Sequence, residues 1–395
     1  MRLQSFLAIC QMVNTELDRN VLRQLQTGLS ESRVQLARQL DVAPSTMGIH
    51  VDRMLRQGLL REDATLASTS GRPPKALQLN PEAGQFIGID LDGRQIFAVS
   101  VDFAQRRLRD RVWDIQSKDR VEEVLLRIEE AIADVRDRHR PLLGIGIASP
   151  GAVDVSSGTS LHYEFIPGWK DVTLAERFSK RFSVPVCVEN NVRAMAIAEE
   201  AFGKAKGLES AICVGNRSGI GAGILIDGEL FRGPDGLAGE IGCWPVRVSR
   251  GKVTTLEKTS SLRNLMKRMA ASVRAGESTS LRLHRNQVTW ESLTEAIQDE
   301  DRMVLRALKE AADNLGKAMV QMSLILNPQQ IVVCGPLAEV ENAFMHPLRQ
   351  SLKEHWPSVN AAMPDVCGSE LGEFVGSLGA GAMIARRWAP HWMRL

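Results

Sequence analysis

Residues 188–194 read VENNVRA. An apolar run, FSVPVC (182–187), precedes them, and MAIAEEAFGKAKG (195–207), which has helical periodicity, follows. A short apolar run reads as a buried strand, and residues recurring at three and four read as a helix. A strand that hands over directly to a helix is the unit of an α/β sheet, and ligands bind at such junctions. This junction carries one glutamate and two asparagines. Whether it is an active site or only a binding site turns on Asn191, because an amide cannot ionise and cannot take a proton from a hydroxyl.

The same scheme extends in both directions. QFIGIDLDGRQIFAVSVDF (85–103) is a strand, a turn at Asp92-Gly93 and a second strand. RRLRDRVWDI is a third strand, VEEVLLRIEEAIADVRDRH an amphipathic helix, and LLGIGIASPGAVD an inner strand running into a loop. Beyond the junction, AICVGNRSGIGAGILIDGELFRG holds two strands around a glycine-rich turn. A long helical stretch ends at LILNP, QQIVVCGPLAE is a buried strand, and GEFVGSLGAGAMIARR is a C-terminal helix rich in small residues. Two similar halves predict two lobes facing a cleft.

The first 80 residues differ in kind. Ten Lys/Arg stand against seven Asp/Glu there, a local basic excess in a chain of net charge +2. LDRNVLRQL has an apolar stripe at helical spacing. In SESRVQLARQLDV, Val34, Leu36, Ala37 and Leu40 are expected on one face and Ser30 at the cap. Pro44 opens the next helix, Met47, Val51, Met54 and Leu55 form its buried face, and Gly58 closes it. Two short helices joined by a tight turn are a helix-turn-helix candidate. Its second helix is expected to turn Ser45, Thr46, Gly48, His50 and Arg53 outward, as a major-groove reader requires. Strand-like LLRE and KALQLN then flank a polar loop with Arg72 between Gly71 and Pro73. That is a wing, and its slim backbone suits an arginine entering a minor groove. The alternative is a small helical dimerisation or scaffold domain with Arg72 as a solvated loop arginine; the order helix, turn, helix, wing favours DNA binding.

Several classes are excluded. Six cysteines without a C-x-x-C pair predict a reducing compartment. No apolar stretch reaches a membrane span and no secretory leader is recognisable, so a cytoplasmic protein that is not integral to a membrane is expected.

Polar and glycine-bearing positions carry the candidate chemistry. Asp90, Asp92 and Gly93 can lie beside a phosphate or Mg²⁺. Gly219, Gly221 and Gly223 let backbone amides approach an anion, and glycines 335, 376, 379 and 381 can flank an adenine. Asn190 and Asn191 join Glu240 (in GLAGEIGCWPV) and Glu257 (in TTLEKTSS) as a set suited to a polyol: carboxylates accept from sugar hydroxyls, while amides donate and accept; Glu257 reads equally as a surface helix-cap residue. Trp169 either stacks on a sugar or sits in the core.

Taken in order, these segments resemble the ROK family of repressors, open reading frames and kinases. LARQLDVAPSTMGIHVDRMLRQGLL, GRPP, GIDLDGRQI, SGIGAGILIDGEL and GLAGEIG carry the likeness, which spans nearly the whole chain. The resemblance is to the long repressor branch, whose members respond to N-acetylglucosamine, xylose or glucose. It implies a winged helix-turn-helix (1–82) ahead of a two-lobed actin-like ATPase/sugar-kinase fold with ribonuclease H-like lobes. The lobes are expected at 83–200 and 201–395, with the C-terminal helix packing back on the first. It also implies an operator duplex, a sugar or sugar phosphate, and a homodimer or dimer of dimers as partners. A protein of the sugar-uptake system is a further partner of some relatives.

Departures from the family pattern shape the functional expectation. VENN places Asn191 where family kinases have a catalytic aspartate. Asp92 and Arg94 stand where kinases favour glycine and threonine, and Asn216 to Ser218 alter the second glycine loop. Cys243 replaces the histidine after GEIG, and RVSRGKVTTLEKTS lacks the family's three cysteines. A structural zinc needs four ligands, so no zinc is expected, and ATP binding is doubtful. The resulting expectation is a sugar-controlled transcriptional repressor without enzymatic activity. An ATP-dependent sugar kinase and a ligand-binding scaffold are the alternatives.

Overall fold

The computed structural model describes residues 16–28, 32–65, 75–93, 95–116, 118–247, 253–358 and 362–388. The chain forms two compact units. One runs up to Asn190 and resumes at Ser377; the other is Asn191–Gly376.

The first unit begins with α1 (Glu16–Thr27), α2 (Arg33–Gln39) and α3 (Pro44–Arg56), followed by the antiparallel pair β1 (Leu60–Thr65) and β2 (Lys75–Leu79). Leu36, Ala37, Met47, Val51 and Met54 are buried and hold the helices together. Val34 departs from expectation and is 71% exposed. Two positions before Leu36 is about 200° around a helix, so it falls off the buried face. Ser32, rather than Ser30, caps α2, accepting from the Gln35 amide at 3.3 Å. Ser30 and the loop carrying Arg72 lie outside the described residues.

A five-stranded sheet follows, with β3 (Gln85–Asp92), β4 (Gln95–Asp102), β5 (Arg107–Asp114), β6 (Leu142–Ser149) and β10 (Val186–Asn190) in the order β10-β6-β3-β4-β5. The α4 helix (Val121–Val135) packs on it. The small sheet β7 (Val153–Asp154), β8 (Thr159–His162), β9 (Lys170–Val172) and α5 (Leu174–Phe182) complete that side. Trp169 is core: it is 2% exposed, meets Tyr163 edge-on at 5.5 Å, and donates to Ser160 Oγ at 2.9 Å.

The second unit repeats the plan. It opens with α6 (Asn191–Phe202). Its sheet contains β11 (Ser210–Asn216), β12 (Ile220–Ile226), β13 (Glu229–Phe231), β16 (Gln330–Cys334) and β17 (Asp365–Gly368), in the order β13-β12-β11-β16-β17. Each sheet is thus an antiparallel meander extended by parallel strands on its first member. The β14–β15 hairpin (Pro245–Arg247, Val253–Thr255) and helices α7 (Leu256–Ser260), α8 (Leu262–Arg274), α9 (Trp290–Gln298), α10 (Arg302–Leu326) and α11 (His346–His355) supply the remaining elements.

The last helix, α12 (Val375–Arg387), returns to the first sheet. A Cβ on Gly88 would stand 1.8 Å from the Ser377 carbonyl oxygen, and one on Gly146 1.9 Å from that of Ala380. Helix backbone therefore lies directly on strand backbone, which explains the small residues in GSLGAGA. Gly146→Ala is expected to lower stability by about 3 kcal/mol, the upper end for overpacking. A urea melt with an unchanged midpoint would contradict this.

Candidate functional site

In the first unit the polar candidates gather at the carboxyl ends of parallel strands, where α/β sheets place their sites. β6 lies between β3 and β10, with Asp90 beside Ala148 on one side and Glu189 beside it on the other. Asn190 is next to Ser149, and its Nδ2 donates to Gly151 O at 3.0 Å. Asp90 is fully buried and Asp92 half-buried at the turn. The Tyr163 hydroxyl donates to Gly93 O at 2.7 Å and fixes that turn. Arg94 lies outside the described residues.

Asn191 is the first residue of α6 and only 7% exposed. Two positions on, Arg193 is a buried cation that sequence reading passed over. Its guanidinium donates to Gly236 O and Ala238 O and stands 3.7 Å from a Glu240 carboxylate oxygen. It thereby ties α6 to the GLAGEIG loop. The loop itself needs Gly239, whose φ is +88° and whose Cβ would meet Ala222 O at 1.8 Å. Burial pushes the Glu240 carboxyl above the usual carboxylate range; Arg193 pulls it down and Glu257 pushes it up.

Glu257 sits in the first turn of α7. The Ile220 amide points to its Oε2 at 3.4 Å, and a Cβ on Gly219 would come within 2.8 Å of the same oxygen. Glu240, Glu257, Gly219 and Arg193 are therefore neighbours, whereas Gly221 and Gly223 pack under α6. Asn216 belongs to the scaffold: it is fully buried, donates to Ser260 O at 3.1 Å and accepts from Leu262 N at 2.9 Å. Cys243 is exposed at the loop's end.

Residues 244–258 hold no cysteine or histidine, and among the described residues no group of three or more His, Cys, Asp or Glu is set to hold a metal. The donors do not fit a zinc ion. Trp244 and Val246 instead pack against the second unit's core and carry the hairpin.

The N-terminal helices differ from expectation at two positions. Ser45 and Thr46 are exposed on α3 and Gly48 is half-buried. His50 and Arg53 turn inward to Asp18 of α1, which is fully buried. His50 Nδ1 lies 2.6 Å from Asp18 Oδ1, and Arg53 pairs with Oδ2. A buried carboxylate demands such partners. The signal was present: Asp18 shares the helical stripe of Val21, Leu22 and Leu25. The exposed apolar side chain of α3 is Ile49, at 66%.

The ROK family pattern matches residues 86–387. The chain belongs to the ROK family. It is 30% identical over 331 residues to a putative xylose repressor of Caldicellulosiruptor sp. strain Rt8B.4, covering 81% of this chain and 82% of that one. Its fold matches a ROK family transcriptional regulator described as a homolog of the E. coli MLC protein, with TM-score 0.77, 24% identity, and 95% and 97% coverage. It also matches a ROK family glucokinase from Streptomyces griseus solved with glucose and AMPPNP. That match has TM-score 0.67 and 25% identity and covers 76% of this chain and 99% of the kinase.

The glucokinase match corrects the expectation that this chain is not an enzyme. Almost the entire length of a kinase that holds sugar and nucleotide analogue is represented here. An amide at one position is therefore no ground for excluding phosphoryl transfer. Among the described residues, no helix is long and apolar enough to cross a membrane.

Proposed function

We propose that this ROK protein is a DNA-binding regulator of sugar genes whose operator affinity is set by a sugar or sugar phosphate. One observation carries the reading. Ahead of the segment that matches the family, three helices and an antiparallel strand pair follow one another in the order of a winged helix-turn-helix. The xylose-repressor relative supports the same reading, as does the basic excess of the first 80 residues.

The carbohydrate would be held by Asn191, Glu240 and Glu257, with Cys243 at the loop's rim. Ionised carboxylates accept hydrogen bonds from sugar hydroxyls, and an amide does both. Occupancy acts by linkage: a ligand moves the protein between two states only by its differential affinity for them, and DNA affinity moves by the reciprocal factor. A homodimer would present two reading helices to two half-sites.

The test is selection of duplexes from a randomised pool by the full chain, followed by titration with D-xylose, D-glucose, N-acetylglucosamine and their 6-phosphates where these exist. The expected result is sequence-specific binding, and one sugar changes it by roughly 5- to 150-fold. Affinity indifferent to duplex sequence, or to each effector, would overturn the proposal. Arg72→Ala is expected to weaken operator binding by about 1–3 kcal/mol and leave sugar binding unchanged, as measured by fluorescence anisotropy and calorimetry.

Sugar affinity should also depend on pH. Hydroxyl donation favours the ionised form of Glu240, so binding lowers its pKa and releases a proton. Because the free carboxyl titrates above the ordinary glutamate range, affinity should begin to fall at correspondingly mild acidity as the pH decreases. Calorimetry across pH should show this in the native chain but not in Glu240→Gln.

The second reading is an ATP-dependent sugar kinase, favoured by the glucokinase match. Labelled phosphate transfer from ATP to the same sugars separates it from a purely regulatory protein.

A further inference from the structure

We infer that Ile49 is the base-reading side chain of α3 and that it reads the 5-methyl group of thymine. The inference rests on the DNA-binding reading above and deepens it by naming what the helix recognises.

In a helix-turn-helix, base edges are contacted from the N-terminal part of the second helix. Guanine is gripped there by arginine or lysine, and adenine by asparagine or glutamine. The first half of α3 has no such group facing outward. Its nearest candidates, His50 and Arg53, are turned to the buried Asp18. Arg56 is in the last turn, and its Nε donates to Asp52 O at 3.3 Å. The Asp52 carboxylate is 2.7 Å from Arg33, which neutralises it.

Ser45, Thr46 and Ile49 remain on the exposed face. Ile49 is 66% exposed although it is wholly aliphatic. The major groove offers one apolar group, the thymine methyl, so an exposed isoleucine among two small hydroxyl residues matches it in chemistry. The Asp18 cluster is what produces this readout, because it withdraws the imidazole and guanidinium that would otherwise dominate the surface.

The test uses the full chain and the duplexes it selects from a randomised pool. Each dT of the selected site is replaced in turn by dU, which removes only the methyl group. Native protein is expected to lose roughly 4- to 10-fold in affinity at one or more positions per half-site. Ile49→Ala should bind the dT and dU duplexes equally at those positions. Its thermal unfolding should be unchanged, since the side chain already faces water. Indifference of the native chain to every dT→dU replacement, or full retention of the sensitivity in Ile49→Ala, would overturn the inference. Failure of the native chain to select any sequence would remove the DNA-binding reading itself, and this inference with it.

Discussion

Asn191→Asp is expected to raise the rate of sugar phosphorylation by ATP roughly 10²- to 10⁴-fold, the usual worth of a positioned general base. Asn191 is 7% exposed and begins α6. A carboxylate there would be shielded from water yet sit at the positive end of a helix, which favours its ionised form. It could then take the proton of a hydroxyl as that hydroxyl attacks phosphorus, a step an amide cannot perform. A glucokinase that this chain matches over 99% of the kinase's length, at 25% identity, was solved with glucose and an ATP analogue, which makes glucose and ATP the first pair to assay. Labelled phosphate transfer to glucose, xylose and N-acetylglucosamine would measure the effect. Equal rates in the two proteins would show that the proton leaves by another group, or that Asp92 at the first turn blocks the phosphate. Asp92→Gly in the Asn191→Asp background separates those two causes.

The second large effect is expected from Arg193→Met. Arg193 is 3% exposed; its guanidinium donates to the carbonyls of Gly236 and Ala238 and pairs with the Glu240 carboxylate at 3.7 Å. Hydrogen bonds to a charged group contribute about 1.5–3 kcal/mol each, and two are lost here. About 3–4 kcal/mol of stability should therefore disappear. The loop would lose its tie to α6, and sugar affinity should fall about 100-fold or more. Glu240, deprived of its cation, should titrate still higher, moving the pH dependence of sugar binding upward. A purely structural role for Arg193 would lower stability without moving that profile. Arg193→Lys should recover part of the charge effect but not the geometry, because a compact ammonium on a flexible stem lacks the fixed, planar donors of a guanidinium.

This arginine does for the loop what four cysteine and histidine ligands would do in a zinc site. Residues 244–258 offer no cysteine or histidine to a metal, yet the loop carrying Glu240 still needs fastening at one end. Arg193 supplies that from α6, while Trp244 and Val246 anchor the β14–β15 hairpin on the second unit's core. Zinc ties ligands by coordination and is lost with chelators; a buried guanidinium is not. Treatment with a chelator should leave the unfolding midpoint of this protein unchanged.

Much of the architecture was legible in the chain. Strands alternate or run apolar, helices repeat at 3.6, and both signals are local. The strand–turn–strand at 85–103, the helix from 121 and the junction at 190–191 could therefore be read directly, as could the doubling of the plan in two halves. The residue types of the carboxylate set were legible too, because hydroxyl recognition needs acceptors of that kind. Tertiary structure alone decided which side chains meet. Asp18 is more than 30 positions from His50 and Arg53, Arg193 more than 40 from Gly236, and Trp169 chose the core over the surface. Such partners are set by how elements pack, and packing depends on residues far apart in sequence; a local pattern carries the identity of a group but not the direction in which the fold will aim it.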